Sequence, residues 1–211
     1  MAPDEAPSTG ARGRPIDAAL TPSIVEAVLS LLADEGYARL TTAAVAKRAG
    51  VSTATLYRRW PSKRDLLLAA AGSIAESETA DIDTGALESD LRTLFAQKRR
   101  ALSGRIGATL VTLVGEAAHD AELAAIIRTS VFTPTRDHLA AILHRAEARG
   151  EHIGADADAA AHVLVGAILA RIALAGAEDG AAVLPEDDVS LLVRAIAGPA
   201  ERRNPHDEKG R

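Results

Sequence analysis

The sequence predicts an all-α protein in which a small N-terminal helical unit joins a larger helical bundle. Along most of the 211 residues, hydrophobic side chains recur every three or four positions, as on one face of a helix. The chain shows no sustained alternation of β-branched residues and no repeat of fixed period. Aromatic residues make up only 2% of an alanine-rich composition, which favours helices, and the length is enough for a hydrophobic core.

Composition and the N-terminal residues exclude several classes of protein. The chain has no cysteine, which excludes disulfides, thiolate zinc sites and cysteine nucleophiles and fits a reducing cytoplasm. The first ten residues contain Asp4 and Glu5 and do not resemble a signal peptide. The longest uncharged apolar run, 159–170, is shorter than the ~20 residues that span a bilayer. We therefore expect a soluble, cytoplasmic protein with no membrane partner.

The formal net charge is −5, but the charges are unevenly distributed. Residues 11–70 contain nine Lys and Arg against five Asp and Glu, whereas residues 71–211 contain fifteen against twenty-two. Because salt screens charges beyond about 8 Å, a nucleic acid at the first segment would interact mainly with that segment. The distribution therefore indicates two regions with different tasks.

The N-terminal residues predict an arm followed by a helix. Residues 1–16 are rich in Pro, Gly and Ala and lack helical periodicity, which predicts a flexible basic arm. Thr21 and Pro22 then predict the start of a helix, with an N-cap hydroxyl and a proline at the first helical position. Gly36 predicts the end of this helix.

Residues 41–60 have the pattern of a helix-turn-helix. Thr41 caps a short helix that ends at Gly50, where glycine can adopt the positive φ of a tight turn. Ser52 caps a second helix, which we expect to end near Arg59. The free N–H groups and the positive dipole end of that helix are suited to a phosphate.

The second helix of this motif separates inward and outward side chains. On a helical wheel Leu56 and Trp60 share the inward face. The outward residues are Ala54, Thr55, Tyr57 and Arg58. An arginine can donate two hydrogen bonds to a guanine, and methyl groups can contact a thymine methyl. The alternative is a turn that merely joins two core helices with solvated arginines, but the caps, the glycine and the local positive charge together favour DNA binding.

The stretch from Arg14 to about Ala70 resembles the DNA-binding domain of the TetR family of bacterial transcriptional repressors. The matching motifs are Gly36-Tyr37, Thr41-Thr42, Val45-Ala46, Ala49-Gly50-Val51-Ser52, Thr55-Leu56-Tyr57 and Pro61-Ser62-Lys63. The resemblance implies base or phosphate contacts from Thr42, Ser52, Thr53, Ala54, Thr55, Tyr57, Arg58, Arg59 and Lys63. The family often has histidine-phenylalanine where this chain has Arg59-Trp60, so the tryptophan keeps the inward apolar role and the arginine adds a charge.

Two further arginines precede the first helix. Arg12 and Arg14 could lie in a narrow A·T-rich minor groove, as the arms of homeodomains do. A solvated linker is the alternative interpretation. The predicted N-terminal domains are therefore the arm at 1–16 and a helix-turn-helix DNA-binding domain at 17–77.

The resemblance implies that residues 78–200 form an effector-binding and dimerisation domain, and we expect a disordered tail at 201–211. The expected helices lie at 62–79, 87–102, 105–118, 120–132, 134–149, 156–178 and 186–198. The helix at 156–178 has almost no polar face, so it must be buried in one core or against a second copy. The resemblance implies dimerisation through the last two long helices, which favours an antiparallel four-helix interface. The predicted interface residues are Val163, Gly166, Ala170, Leu174, Val189, Leu192, Val193 and Ile196.

The resemblance also implies a small-molecule effector, which an apolar pocket would bind. The candidate pocket residues are Phe95, Leu110, Phe132, Leu139 and Arg171, although the phenylalanines could equally fill the core. A charged Arg171 cannot be buried alone, so we expect it to pair with an acid across the interface or to line the cavity. Such a pocket favours an apolar ligand.

The sequence predicts no enzyme activity, metal or cofactor. No phosphate loop or nucleophile elbow is present, and only His144 and Glu147 share a helical face in the histidine-rich region, without a third ligand. We therefore predict a ligand-released repressor that binds a palindromic double-stranded DNA operator as a homodimer. The alternatives are an all-helical small-molecule-binding protein or enzyme without a DNA-binding role, and a protein-interaction adaptor.

Overall fold

A computed structural model of the protein describes residues 17–76, 81–176 and 179–198. The predicted arm at 1–16, with Arg12 and Arg14, and the predicted tail at 201–211 lie outside the described residues. The helices are α1 Asp17–Glu35, α2 Thr42–Ala49, α3 Thr53–Arg59, α4 Lys63–Glu76, α5 Leu87–Ala101, α6 Arg105–Ala117, α7 Ala121–Ile127, α8 Thr133–Ala148, α9 Ala157–Ala175, α10 Gly180–Val183 and α11 Glu186–Ala197. Every regular element in the described residues is helical, which confirms the all-α prediction.

The first four helices form the N-terminal unit around one hydrophobic core. Its most deeply buried side chains include Val28, Leu31, Val45, Leu56 and Leu66. Leu123 and Ile126 of α7 belong to the same buried cluster. The N-terminal unit therefore rests directly on α7, and a movement of either element is transmitted to the other through packed side chains.

The first helix begins at Asp17, four residues before the predicted start at Thr21. Pro22 lies inside α1, where its missing N–H removes only the bond to the carbonyl of residue 18. Pro22 is the sixth residue of α1, just beyond the first four N–H groups that have no intrahelical partner, so the loss is confined to one hydrogen bond near the start of the helix. The prediction of a helix start at the proline was therefore wrong.

The sequence analysis predicted a boundary between two helices at Pro134. The structure has a wider helical turn there, and the helical path continues through it. Helices α7 and α8 run on from one another through a π-helical segment, Arg128–Phe132. Pro134 has no N–H to donate to the carbonyl of Ser130, so the regular i→i−4 ladder must change near this point. The hydroxyl of Thr135 donates to the carbonyl oxygen of Val131 at 2.7 Å and satisfies one carbonyl of the altered turn.

The body packs α5, α8, α9, α10 and α11 around a second core. This core contains Leu91, Phe95, Leu139, Leu164 and Leu192. The short α10 lies within the stretch that the sequence analysis treated as a separator between two helices. Its Val183 is fully buried, so this stretch contributes to the core.

Helix α9 has an unusual surface. Among the described residues it is the one helix long and apolar enough to cross a bilayer, and only 28% of its most apolar window is buried. This differs from the expectation based on the uncharged run, because the helix continues through Arg171 to Ala175. A helix of this composition also suits the core of a protein or a contact with a second chain.

Candidate nucleic-acid interface and ligand cavity

The turn between α2 and α3 has the predicted geometry. Gly50 adopts φ 69° in the left-handed region, and its N–H donates to the carbonyls of Ala46 and Lys47. The Val51 N–H donates to Ala46 O at 3.0 Å. Ser52 Oγ then accepts from the Thr55 N–H at 3.1 Å. These contacts confirm the predicted turn and N-cap and fix the direction in which α3 leaves α2.

The inward face of α3 holds the helix on the N-terminal unit. Leu56 and Trp60 are both buried, in the same cluster as Val45 and Ala46, as the helical wheel predicts. The Arg59 guanidinium lies over the Trp60 ring, 4.9 Å from its centroid. Because α3 is anchored along one side only, its other side remains at the surface.

The outward face of α3 is exposed. Its exposed residues are Ser52, Thr53, Ala54, Tyr57, Arg58 and Arg59. Tyr57 is 52% exposed, which is high for an aromatic side chain. Thr55 is half-buried, and its hydroxyl lies 2.8 Å from Ser52 Oγ. Among the described residues, Tyr57 and Arg58 form no side-chain hydrogen bond or ion pair, so their polar atoms are available to a partner.

One arginine near this motif is paired within the N-terminal unit. Arg48 on α2 donates to Asp34 Oδ2 and to Glu35 Oε1, both at 2.8 Å. The Arg48 hydrogen bond lowers the pKa of Asp34. Arg48 is therefore paired with the end of α1, whereas Arg58 on the outward face of α3 is exposed.

Thr42 does not belong to this surface, contrary to the resemblance-based expectation. It is only 6% exposed, because it occupies the same helical face as Val45 and Ala46, three and four positions later. The exposed threonine at this end of α2 is Thr41, whose hydroxyl accepts from the Ala44 N–H at 3.1 Å.

Lys63 was also predicted to bind phosphate, but in the structure it is half-buried and its ammonium contacts another residue of the chain. Its Nζ donates to Tyr37 O at 2.5 Å and lies 3.2 Å from the centroid of the Tyr37 ring. Tyr37 in turn donates its hydroxyl to Asp120 Oδ2 at 3.2 Å. Burial lowers the pKa of Lys63, and burial together with Asp120 raises the pKa of Tyr37 to about 12. This cluster ties the start of α4 to the start of α7.

A cavity of about 110 Å³ lies where the N-terminal unit meets the body. The N-terminal unit contributes Leu29, Leu32, Leu67, Ala70, Ala71 and Ile74. The body contributes, among others, Lys98, Leu102, Thr109, Leu110, Ile126, Ser130, Val131, Thr135, Leu164 and Ile168. The walls are mainly aliphatic, as expected, but the contribution of α1 and α4 was not visible in the sequence, because it depends on how the two units pack.

Of the five predicted pocket residues, only Leu110 lines this cavity. Phe95 and Leu139 are fully buried in the core of the body. Phe132 stacks on His162 with ring centroids 4.2 Å apart and lines a separate surface groove. Arg171 forms two hydrogen bonds to Asp188 of α11, at 2.8 and 2.9 Å. Its acidic partner is therefore in the same chain. The charge of Arg171 is compensated without an acid from a second copy, and Arg171 does not line the cavity.

The predicted dimer residues divide between surface and core. On α9, Val163 is 56% and Leu174 is 87% exposed, and Gly166 and Ala170 are exposed between them. The four predicted residues of α11 are instead buried in the chain's own core: Val189, Leu192, Val193 and Ile196. Their place in an interface was predicted wrongly, because this stripe packs against α5 and α9. The exposed apolar residue of α11 is Leu191, at 59%.

Comparisons with known proteins match both parts of the chain. Residues 24–70 match the domain family described as bacterial regulatory proteins, tetR family, and residues 81–189 match the tetracyclin repressor-like C-terminal domain. The DNA-binding transcriptional repressor TetR of Mycobacteroides abscessus is 33% identical over 87% of this chain and 97% of its own. The uncharacterised HTH-type transcriptional regulator YdeS of Bacillus subtilis is 30% identical over 79% and 85%, respectively.

Solved structures share the fold. The TetR family transcription regulator SCO0332 superposes with a TM-score of 0.61 at 29% identity, covering 85% of this chain and 99% of that one. The transcriptional regulator FadR of Bacillus subtilis, solved in complex with stearoyl-CoA, superposes with a TM-score of 0.64 at 20% identity, covering 83% of this chain and 98% of that one. At least one protein of this fold thus binds a small-molecule ligand.

Proposed function

We propose that this chain, which belongs to the TetR family of bacterial regulatory proteins, is a homodimeric repressor released from its operator by a small-molecule effector. Its family makes it a DNA-binding transcriptional regulator and not an enzyme. The observation that carries the proposal is the exposed polar side of α3, on which Tyr57 and Arg58 have no partner among the described residues. We assign DNA binding to residues 17–77, and effector binding and dimerisation to 78–200.

In this proposal α3 is the recognition helix. Arg58 donates to base edges in the major groove, and Ala54 and the half-buried Thr55 offer methyl groups at the same surface. Ser52, Thr53, Tyr57 and Arg59 hold the phosphate backbone and set the register. The capped N-terminus of α3 adds N–H groups suited to a phosphate.

A second copy of the chain covers α9. Exposed Val163 and Leu174 offer apolar area, Gly166 and Ala170 let a second backbone approach closely, and Leu191 continues the surface onto α11. A Cβ built on Gly166 meets no atom within 4 Å, so this side of α9 is open to a partner. Dimerisation places two copies of α3 about 34 Å apart, which matches successive major grooves of a palindrome.

The effector acts through the shared cavity. Its volume of about 110 Å³ is below the ~300 Å³ at which ligand sites usually begin, so a ligand must widen it. Since α1 and α4 form part of its wall, widening moves the helices that position α3. A ligand that prefers the widened form lowers operator affinity about tenfold for each 1.4 kcal/mol of preference. Because operator DNA lies in the bacterial cytoplasm, this proposal implies that the protein is cytoplasmic.

Selection of bound fragments from random DNA, followed by gel retardation, tests this function. We expect enrichment of a palindrome with half-sites about one helical turn apart. We expect retardation to weaken steeply with rising salt, since phosphate contacts release counterions. Failure to retard any fragment at low salt would overturn the proposal and favour an all-helical small-molecule-binding protein.

A further inference from the structure

The cavity between the N-terminal unit and the body has a mainly aliphatic wall. Leucine, isoleucine, valine and alanine side chains form most of it, and no acidic side chain lines it among the described residues. The polar residues of the wall are Lys98, Thr109, Ser130 and Thr135. Lys98 already has an interaction within the protein. The described wall therefore offers neither an acid nor a free cation to a charged ligand.

Thr109 differs from four other helical threonines in what its hydroxyl does. The hydroxyls of Thr93, Thr112, Thr129 and Thr135 each donate to the carbonyl oxygen four residues earlier, at 2.7 to 3.2 Å. Thr109 is only 4% exposed, and its Oγ1 is a buried atom with no hydrogen-bond partner among the described residues. A buried hydroxyl without a partner loses the hydrogen bond that water would give it. Because Thr109 lines the cavity, a ligand atom can supply that bond.

Two kinds of ligand fit this wall poorly. A carboxylate or an ammonium would leave water for an apolar site, which costs more free energy than one hydrogen bond to a hydroxyl contributes. The Thr135 hydroxyl is already engaged, and Ser130 is only half-buried. A pure hydrocarbon would match the aliphatic wall but would leave the Thr109 hydroxyl unsatisfied. A neutral molecule with one polar oxygen meets both conditions.

We propose that the cavity binds an uncharged, mainly aliphatic molecule that places a hydroxyl or carbonyl oxygen against Thr109 Oγ1. The threonine hydroxyl can donate to either kind of oxygen and can also accept from an alcohol. The aliphatic part of the ligand lies along the leucine and isoleucine side chains of both units. The inference rests on the proposed effector role of the cavity and specifies the ligand class of that site.

Direct binding to the full-length protein, without DNA, tests this class. Calorimetric titration at neutral pH compares 1-octanol and 2-octanone with octanoate and octylammonium, which have the same chain length. We expect the two neutral compounds to bind at least about tenfold more tightly than the two ions. Octanoate that binds as tightly as 1-octanol would overturn the proposal, as would the absence of binding by both neutral compounds at millimolar concentration.

The variant Thr109→Val tests the assigned hydrogen bond, because it removes the hydroxyl and keeps the shape of the side chain. Its affinity for 1-octanol should fall about threefold to tenfold. Its melting temperature without ligand should not fall, since the deleted hydroxyl has no partner. Thr112→Val removes an exposed hydroxyl of the same helix and should bind 1-octanol normally. Unchanged 1-octanol affinity in Thr109→Val would overturn the proposal, because water or the helix itself would then satisfy the hydroxyl.

A second variant tests the place of binding, whether or not Thr109→Val folds. Ala101→Leu enlarges a side chain of the cavity wall and should abolish binding of 1-octanol and 2-octanone. Ala108→Leu enlarges an exposed side chain of α6 and should bind both normally. Unchanged binding in Ala101→Leu would contradict the assignment to this cavity. Gel retardation of the same preparations separates the two proposals, since failure of the ligand tests with intact DNA binding removes the ligand class alone.

Discussion

In the N-terminal unit the outward face of α3 is exposed and polar, whereas in the body the exposed faces of α9 and α11 carry large apolar side chains. Tyr57 and Arg58 project from a helix whose inward face is anchored by Leu56. In the body, charges such as Arg171 are paired within the chain, and Val163 and Leu174 are left outside. The difference teaches that one chain presents two kinds of surface: a polar one, which we propose contacts DNA, and an apolar one, which we propose contacts a second copy.

The largest effect is expected from making the apolar surface charged. The double variant Val163→Asp, Leu174→Asp should be monomeric in sedimentation equilibrium. Dimerisation would bury the new carboxylates of both copies in the interface without partners. Operator affinity should fall by about a hundredfold or more, since the two half-sites would no longer be bound by one particle. Val114→Asp changes a valine of α6 that is also exposed and should remain dimeric. A dimeric double variant would contradict the assignment of this surface.

The next effect concerns the buried charge of the body. The side chain of Asp90 is fully buried; burial raises its pKa, but hydrogen bonds from Thr84 and Arg149 outweigh burial and lower the pKa overall. Asp90→Asn should cost about 1–3 kcal/mol of unfolding free energy at pH 7 in urea titrations, because it weakens the charge-assisted hydrogen bonds to a buried carboxylate. Asp137→Asn, in an exposed pair with Arg136, should change it by less than about 0.5 kcal/mol.

The same group predicts how stability depends on pH. Because folding lowers the pKa of Asp90, its contribution is complete above the ordinary aspartate pKa of about 3.9 and is lost as the pH falls through the lower folded value. Unfolding free energies at pH 7 and pH 3 should therefore differ more for the natural protein than for Asp90→Asn. Equal pH dependence in the two proteins would contradict this role.

A smaller effect is expected at the tight corner between α5 and α6. Gly107→Ala places a Cβ 2.1 Å from Leu102 O and 2.7 Å from Ile172 Cδ1, and should cost about 1–3 kcal/mol in chemical denaturation. Gly115→Ala on the same helix meets no atom within 4 Å. It should be neutral or stabilise by up to about 1 kcal/mol, through helix propensity. Similar stability of the two variants would show that the corner is looser than described.

How far the sequence predicted the molecule depends on whether the signal is local. Gly50 and Ser52 act through their own backbone and the next turn, so the helix-turn-helix could be located to the residue. The faces of α3 follow from helical periodicity, and Leu56 and Trp60 are buried as expected. Thr42 was assigned through resemblance, although its spacing from Val45 indicates the buried face.

Long-range pairing could not be predicted in the same way. The stripe of α11 that includes Leu192 is equally apolar whether it packs on its own chain or on a second copy, and only the fold decides. Arg171 required an acid, but its pairing with Asp188 depends on how α9 and α11 cross. The contacts of Lys63 with Tyr37 depend on the fold of the N-terminal unit, and the contribution of α4 to the cavity depends on how the two units pack.

The effect confined to the fewest contacts is on sequence discrimination by α3. Arg58→Ala should reduce the preference for one base pair of the selected operator by about 1–3 kcal/mol in competition gel retardation, since a bidentate contact to a guanine is lost. Arg100→Ala removes an exposed arginine of α5 and should leave that preference intact. Unchanged discrimination in Arg58→Ala would assign Arg58 to the phosphate backbone.

Methylation protection of guanine N7, an atom of the major groove, tests most directly whether α3 enters DNA. When the natural protein binds its selected operator, guanines in two clusters about 34 Å apart should be protected from dimethyl sulfate, and Arg58→Ala should lose protection at one guanine in each cluster. Guanines that stay fully reactive in a retarded complex would contradict the account, because the protein would then be bound without α3 in the groove.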